Sequence, residues 1–187
     1  MNALSLKKGS SRKSAYNLRP IYDDGTERHV LSVIVDNEAG VLARVIGLFS
    51  GRGYNIESLT VAETDHEGRL SRITVVTTGT PQVIEQIKAQ LDRIVPVHDV
   101  HDLTVEGPAV ERELALVKVS GAGEKRVEAM RTAEIFRARV VDSTIESFVF
   151  EVTGDPAKID AFVDLMTVLG LVEVARTGVA AMARGSE

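Results

Sequence analysis

The stretch Leu31-Ser32-Val33-Ile34-Val35-Asp36-Asn37-Glu38-Ala39-Gly40-Val41-Leu42-Ala43-Arg44-Val45-Ile46-Gly47-Leu48-Phe49 decides the reading of this chain. Leu31, Val33 and Val35 alternate with Ser32, Ile34 and Asp36, the period of a strand. Val41, Leu42, Val45, Ile46, Leu48 and Phe49 then recur at i, i+3 and i+4, the period of a helix with one buried face. Between them lies a short polar turn ending in Gly40. A strand that hands over to a helix through a glycine points backbone N–H groups and the positive end of the helix dipole at one small volume, where a carboxylate can be held. No nucleophile, metal-ligand cluster or phosphate loop accompanies it, so the junction reads as part of a small-ligand sensor.

Outward from this junction the pattern is regular. Gly51 and Gly53 end the first helix. Asn55 to Glu63 and Leu70 to Thr78 read as strands joined by the polar turn Asp65-His66-Glu67-Gly68. Thr80-Pro81 opens a second helix, Thr as cap and Pro in its first turn, and Val95 to Val105 gives a last strand. The order βαββαβ then repeats: a strand from Glu113 to Ser120, a helix from Glu124 to Phe136, a hairpin from Arg139 to Ile145 and Phe148 to Thr153, a helix opened by Asp155-Pro156, and a strand from Leu171 to Met182. Thr78-Gly79-Thr80-Pro81 and Thr153-Gly154-Asp155-Pro156 match at one offset, which also pairs Ile84 with Ile159, Ile87 with Phe162 and Leu91 with Met166. Two copies of one topology follow: an α+β chain of two tandem ferredoxin-like βαββαβ domains, over 28–106 and 109–185, separated at the Gly107-Pro108 joint.

A four-stranded sheet with both helices on one face leaves the other face open. Ile73, Val75, Ile56 and Val61 are too many to be covered by two helices on one side, so a second copy of the chain is the expected cover and the expected state is a homodimer.

Composition narrows the function classes. A length of 187 residues suits two domains of this size. The net charge of −5 disfavours an extended nucleic-acid face, and the absence of cysteine removes disulfides, thiolate metal sites and cysteine nucleophiles, which fits a cytoplasmic protein. No apolar run reaches the ~18 residues of a membrane span. Residues 1–27 open with a flexible basic tail holding Lys7, Lys8, Arg12, Lys13 and Arg19 among serines. It reads as a solvated arm, with an organelle transit peptide and a nucleic-acid arm as the other readings.

The segments Val41 to Phe49 and Gly53-Tyr54-Asn55-Ile56-Glu57-Ser58-Leu59-Thr60-Val61-Ala62 resemble the ACT domain of the acetolactate synthase small (regulatory) subunit family. Glu111 to Val119, Glu134 to Ala138 and Val172 to Gly178 are similar to the C-terminal domain of that family, and Arg52 to Leu59 is specific to it rather than to ACT domains at large. The resemblance spans about residues 28–185. It implies a subunit that is not an enzyme by itself and carries no cofactor, paired with a large catalytic subunit that binds thiamine diphosphate, FAD and Mg²⁺. It further implies activation of that partner and feedback inhibition by valine or another branched-chain amino acid. The alternative is a free-standing ACT-type amino-acid sensor acting on a different enzyme or promoter; a third reading is an enzyme with an ACT-like fold.

The resemblance also places the effector on Asn37, Glu38, Ala39, Gly40, Val41, Leu42, Asn55 and Ile56. N–H groups near Gly40 to Leu42 would take the carboxylate of a zwitterion, and Ile56, Val35 and Leu42 would supply a small apolar pocket. Each key position has a plainer role as well: Asn37 as a helix cap, Gly40 as a residue for a special backbone conformation, Asn55 as a turn opening a strand. His98 and His101 are three apart on a strand and do not share a face, so no metal site is assigned. Gly121-Ala122-Gly123-Glu124-Lys125-Arg126 is a glycine turn into a helix without the ending of a P-loop. Glu111, Arg112 and Glu113 read either as a solvated strand edge or as part of a contact with the large subunit.

Overall fold

Two βαββαβ units follow one another, in a computed structural model that describes residues 25–185; of the tail read over residues 1–27, residues 1–24 lie outside them. The first unit is β1 (Glu27–Asp36), α1 (Val41–Arg52), β2 (Ser58–Asp65), β3 (Leu70–Gly79), α2 (Pro81–Leu91) and β4 (Val97–Asp102). The second is β5 (Ala109–Ser120), α3 (Glu124–Ile135), β6 (Arg139–Ser143), β7 (Ser147–Gly154), α4 (Pro156–Leu169), β8 (Leu171–Arg176) and β9 (Ala180–Ala183). Both sheets are antiparallel, ordered β2-β3-β1-β4 and β6-β7-β5-β8, and β9 pairs with the opening residues of β5.

The helix starts at the matched positions have the same chemistry in both units. Thr80 accepts a hydrogen bond from the Val83 N–H and Asp155 from the Lys158 N–H, each followed by a proline that has no N–H to leave unpaired. The apolar phase that follows buries Ile84, Ile87 and Leu91 in one unit and Ile159, Phe162 and Met166 in the other. The first core collects Leu31, Val33, Val35, Val41, Val45, Phe49, Ile73 and Val75 beneath α1 and α2. The second is aromatic: Phe136, Phe148, Phe150 and Phe162 form a chain of ring contacts with centroids 5.3 to 6.2 Å apart.

Several strand limits differ from the sequence reading: β5 begins at Ala109 rather than Glu113, because its first residues pair with β9, β6 ends at Ser143, and three further limits have local reasons. The ladder of β2 begins at Ser58 rather than Asn55, because residues 55–57 meet β3 mainly through side chains: the Thr77 hydroxyl donates to the Asn55 carbonyl and the Thr78 hydroxyl to the Glu57 carboxylate, with the Glu57 N–H on the Val76 carbonyl as the backbone bond. β4 stops at Asp102, where its carbonyl accepts from both Val105 and Glu106 and its side chain accepts from the Thr104 N–H, turning the chain. The last strand is cut in two at Thr177-Gly178-Val179, and β9 crosses to the first domain.

That crossing corrects the expectation of an open face. Ile73 and Val75 point to the helices and are fully buried, and Ile56 packs against the same core. The opposite face carries Val30 and Val76, and these are covered by Leu103, Val179 and Ala181 of the same chain. Arg28 binds Glu111 with both terminal nitrogens, at 3.2 and 2.7 Å, tying the two domains on that side. The uncovered-face argument for a homodimer therefore does not hold. Val61 remains 45% exposed, but at the edge of the sheet.

Candidate functional site

Gly40 stands at the end of the β1–α1 turn with φ +91°, a left-handed conformation that side chains rarely adopt, and caps the helix without any side-chain hydrogen bond. The helical ladder opens with the Arg44 N–H on the Gly40 carbonyl at 3.1 Å, and the Val41 N–H makes a long contact to Glu38 at 3.5 Å. The N–H groups of Leu42 and Ala43 find no carbonyl upstream of the helix, and no acidic side chain occupies the first turn. Exposed donors at the positive end of a helix dipole attract an anion.

Asn37 does not cap this helix. Its N–H donates to the Arg69 carbonyl at 2.7 Å, and its side chain lies near Glu63. The Glu63 carboxyl is held below the usual carboxylate range, first by the hydrogen bond from His66 at 2.8 Å and further by Asn37, with burial acting the other way. Glu38 is exposed and paired with Arg44 at 3.3 Å, and Ala39 is exposed beside it. Val41 is buried in the core and Leu42 packs on its margin.

Asn55 and Ile56 lie elsewhere. Helix α1 has 12 residues, so it is about 18 Å long, and it runs back along the sheet from Gly40 to Gly53. Asn55 sits beside Thr77, whose strand partner is His29 near the start of β1, whereas the Gly40 turn follows Asp36 at its far end. One chain thus splits the expected residues into two groups at opposite ends of the first domain. Nor do Ile56, Val35 and Leu42 form a pocket. Val35 is fully buried in the core, and Ile56 belongs to the opposite end.

The remaining candidates resolve individually. Glu113 is neither a solvated edge nor free for a partner: it is 5% exposed and takes Arg176 through both oxygens at 2.6 and 2.7 Å. Glu111 is taken by Arg28, which leaves Arg112 as the exposed member of that trio. His98 meets Asp36, while His101 meets Asp99 and Glu106; among the described residues no group of three such side chains is placed to hold a metal ion. The glycine turn before α3 opens a groove of about 820 Å³ lined by Glu124 and Glu128 as well as Lys125 and Arg131, a mixed-charge wall unlike a phosphate cradle. Among the described residues no helix is long and apolar enough to cross a membrane.

Two family models match the chain: the AHAS small subunit-like ACT domain over residues 31–99, and the small subunit of acetolactate synthase over residues 112–185. The probable acetolactate synthase small subunit of Archaeoglobus fulgidus is 48% identical over 160 residues, which cover 86% of this chain and 99% of that protein. The chain belongs to the acetolactate synthase small-subunit family. The isozyme 3 small subunit of Escherichia coli is likewise 48% identical, over 86% of this chain and 98% of its own length. The crystal structure of the acetolactate synthase small subunit from Thermotoga maritima matches with a TM-score of 0.75 at 39% identity, over 86% of this chain and 99% of that one. The ACT match contains both groups of expected effector residues, Asn37 to Leu42 and Asn55 with Ile56.

Proposed function

We propose that the chain is the regulatory subunit of an acetolactate synthase in branched-chain amino acid biosynthesis. It binds the large subunit, raises its activity and makes it sensitive to valine or another branched-chain amino acid. Catalysis and its cofactors, thiamine diphosphate, FAD and Mg²⁺, belong to the large subunit in this reading, and this chain acts beside it in the cytoplasm. Near-full-length identity to small subunits carries the proposal.

The geometry supports a particular form of effector site. β2 is an edge strand with no proline or lysine, and an edge leaves a row of N–H and C=O groups for another chain to pair with. Antiparallel pairing of β2 with β2 of a second copy reverses one sheet relative to the other. The Asn55 end of one copy then lies at the same end of the joined sheet as the Gly40 turn of its neighbour. Two half-sites separated by the length of α1 in one chain would be joined in a homodimer. The carboxylate of the effector would meet the free N–H groups of α1, and Asn55 and Ile56 of the other copy would close over it.

The test is reconstitution. The purified chain is mixed with a cofactor-loaded large subunit, and acetolactate formed from pyruvate is measured with and without valine, leucine or isoleucine. Activation together with inhibition by at least one of the three is expected. Turnover by this chain without a large subunit, or a large subunit indifferent to it, would overturn the proposal.

A further inference from the structure

We propose that Ser58 and Thr60 are positioning residues for feedback inhibition, which couple the effector end of β2 to the second domain through the backbone of Val179. The inference rests on the effector reading above. Both backbone polar groups of Val179 are held by side chains of this one strand. The Val179 N–H donates to Ser58 Oγ at 2.8 Å, and the Thr60 hydroxyl donates to the Val179 carbonyl at 2.9 Å. Val179 is 4% exposed, so losing these partners strands two buried groups rather than handing them to water.

The contact is shaped for the hydroxyls. Gly178 has φ +84°, and a Cβ there would come within 2.7 Å of Ser58 Oγ, so the strap formed by residues 177–183 meets β2 at a spot where only glycine fits. The grip uses side chains on the helix-free face. It leaves the lateral edge of β2 available to a second copy.

The clamp is joined to the effector site on one side and to the second domain on the other. Ser58 follows Ile56 by two residues, and residues 55–57 lie outside the strand ladder, held to β3 by one backbone bond and the hydroxyls of Thr77 and Thr78, so ordering Asn55 and Ile56 around a ligand acts on the position of Ser58. Beyond Val179, the strap runs back to Arg176, locked on Glu113 at the end of β8, and forward to β9, paired with Ala109 to Arg112. The two states are a strap docked on β2 and a strap released. The effector favours the docked state because its own residues are ordered there, and a ligand shifts such an equilibrium only through that preference.

The experiment compares the wild-type chain, the double variant Ser58→Ala/Thr60→Val and the conservative variant Thr60→Ser, each reconstituted with the large subunit. Valine binding is measured by calorimetry and deuterium exchange is followed over residues 177–183. The double variant should fold, activate the large subunit and still bind valine saturably. Its half-inhibitory valine concentration should rise by about 5- to 150-fold, the ordinary size of an allosteric coupling. Valine should slow exchange at 177–183 in the wild type and not in the double variant, and Thr60→Ser, which keeps the hydroxyl, should behave as wild type. A double variant inhibited as strongly as wild type overturns the relay. So does one that no longer binds valine, which would put the hydroxyls in the site itself, and so does a Thr60→Ser variant as insensitive as the double. A wild-type chain that binds none of the three branched-chain amino acids overturns the effector reading beneath it as well.

Discussion

At Gly40 the backbone conformation and the surroundings separate two effects that one substitution usually mixes. A Cβ there meets nothing within 4 Å, yet φ is +91°, so Gly40→Ala carries only the left-handed penalty of about 1 kcal/mol. Gly40→Asp adds a charge where the effector carboxylate would sit. Like charges ~4 Å apart repel by about 1 kcal/mol in water and about 4 kcal/mol at an effective dielectric near 20, roughly a fivefold to thousandfold loss of affinity. Folding and activation should survive both changes, with valine inhibition and valine's thermal stabilisation of the chain lost in Gly40→Asp and kept in Gly40→Ala. If Gly40→Asp retains both responses, the carboxylate binds elsewhere. A second residue-scale outcome concerns Arg176, whose pKa is raised first by its hydrogen bonds to Glu113 and further by Asp160, against burial. Arg176→Met leaves the Glu113 carboxylate buried without its partner. Since the guanidinium is about a third exposed, the expected loss is about 2–3 kcal/mol in urea unfolding, below the range for a fully buried pair. Combining it with Glu113→Leu should recover much of that loss; no recovery would show that the pair is not what the site needs.

At the scale of elements, the turn from β4 into the interdomain linker is held by histidine and carboxylate groups. His101 contacts Glu106 through Nδ1 at 2.9 Å and Asp99 through Nε2 at 2.8 Å, and the other Glu106 oxygen accepts from the Asp102 N–H at 2.8 Å. The hydrogen bond to Glu106 raises the His101 pKa most, with burial opposing and the charges of Asp99 and Glu106 adding to it. A folded-state pKa above the ordinary value of about 6.5 means stabilisation that is complete below that value and is lost as pH climbs through the raised one. Partly exposed ion pairs are worth a few tenths of a kcal/mol, so the clearest readout is the ring-proton titration of His101 by NMR. Its midpoint should lie above the ordinary value and return towards it in Glu106→Gln; a midpoint at or below 6.5 in the native chain would dismiss the clamp. Nearby, Asp102 is held below the usual range. Burial pushes it up, but the hydrogen bond and charge of His29 and the bond from the Thr104 backbone outweigh that.

For the whole molecule, the strap changes what a truncation should do. Residues 27–106 hold a complete helix-covered core and should fold, but the cut removes Val179 and Ala181 from Val30, Val76 and Leu103. At ~25 cal/mol per Å² of apolar surface uncovered, a patch of this kind costs about 2–4 kcal/mol, visible as a lower urea midpoint than the same domain shows in the full chain. The fragment should still pair through β2 and bind the effector, while failing to activate the large subunit fully. Its sedimentation with and without valine tests the first part and reconstitution the second. A fragment as stable as the parent would mean that the strap contributes no packing.

Periodicity and caps carried the elements and their repetition. Thr80-Pro81 and Asp155-Pro156, with the apolar positions after them, report local rules acting within one helix, and those rules hold wherever the helix is placed. The family was legible for the same reason, in a contiguous run through α1 and β2. Which face of the first sheet needed covering was not legible, because β1 carries apolar residues at both phases of its alternation and no local signal says which face meets the helices. Gly178 inside an apparent strand was the one hint of a close approach, and its partner Ser58 lies more than a hundred residues away, beyond any spacing argument. The expected effector residues fall at the two ends of α1, and the 12 residues of that helix hold Gly40 and Asn55 about 18 Å apart. Local patterns specify elements; distances between their ends, and the cover on each face, exist only once the chain has packed.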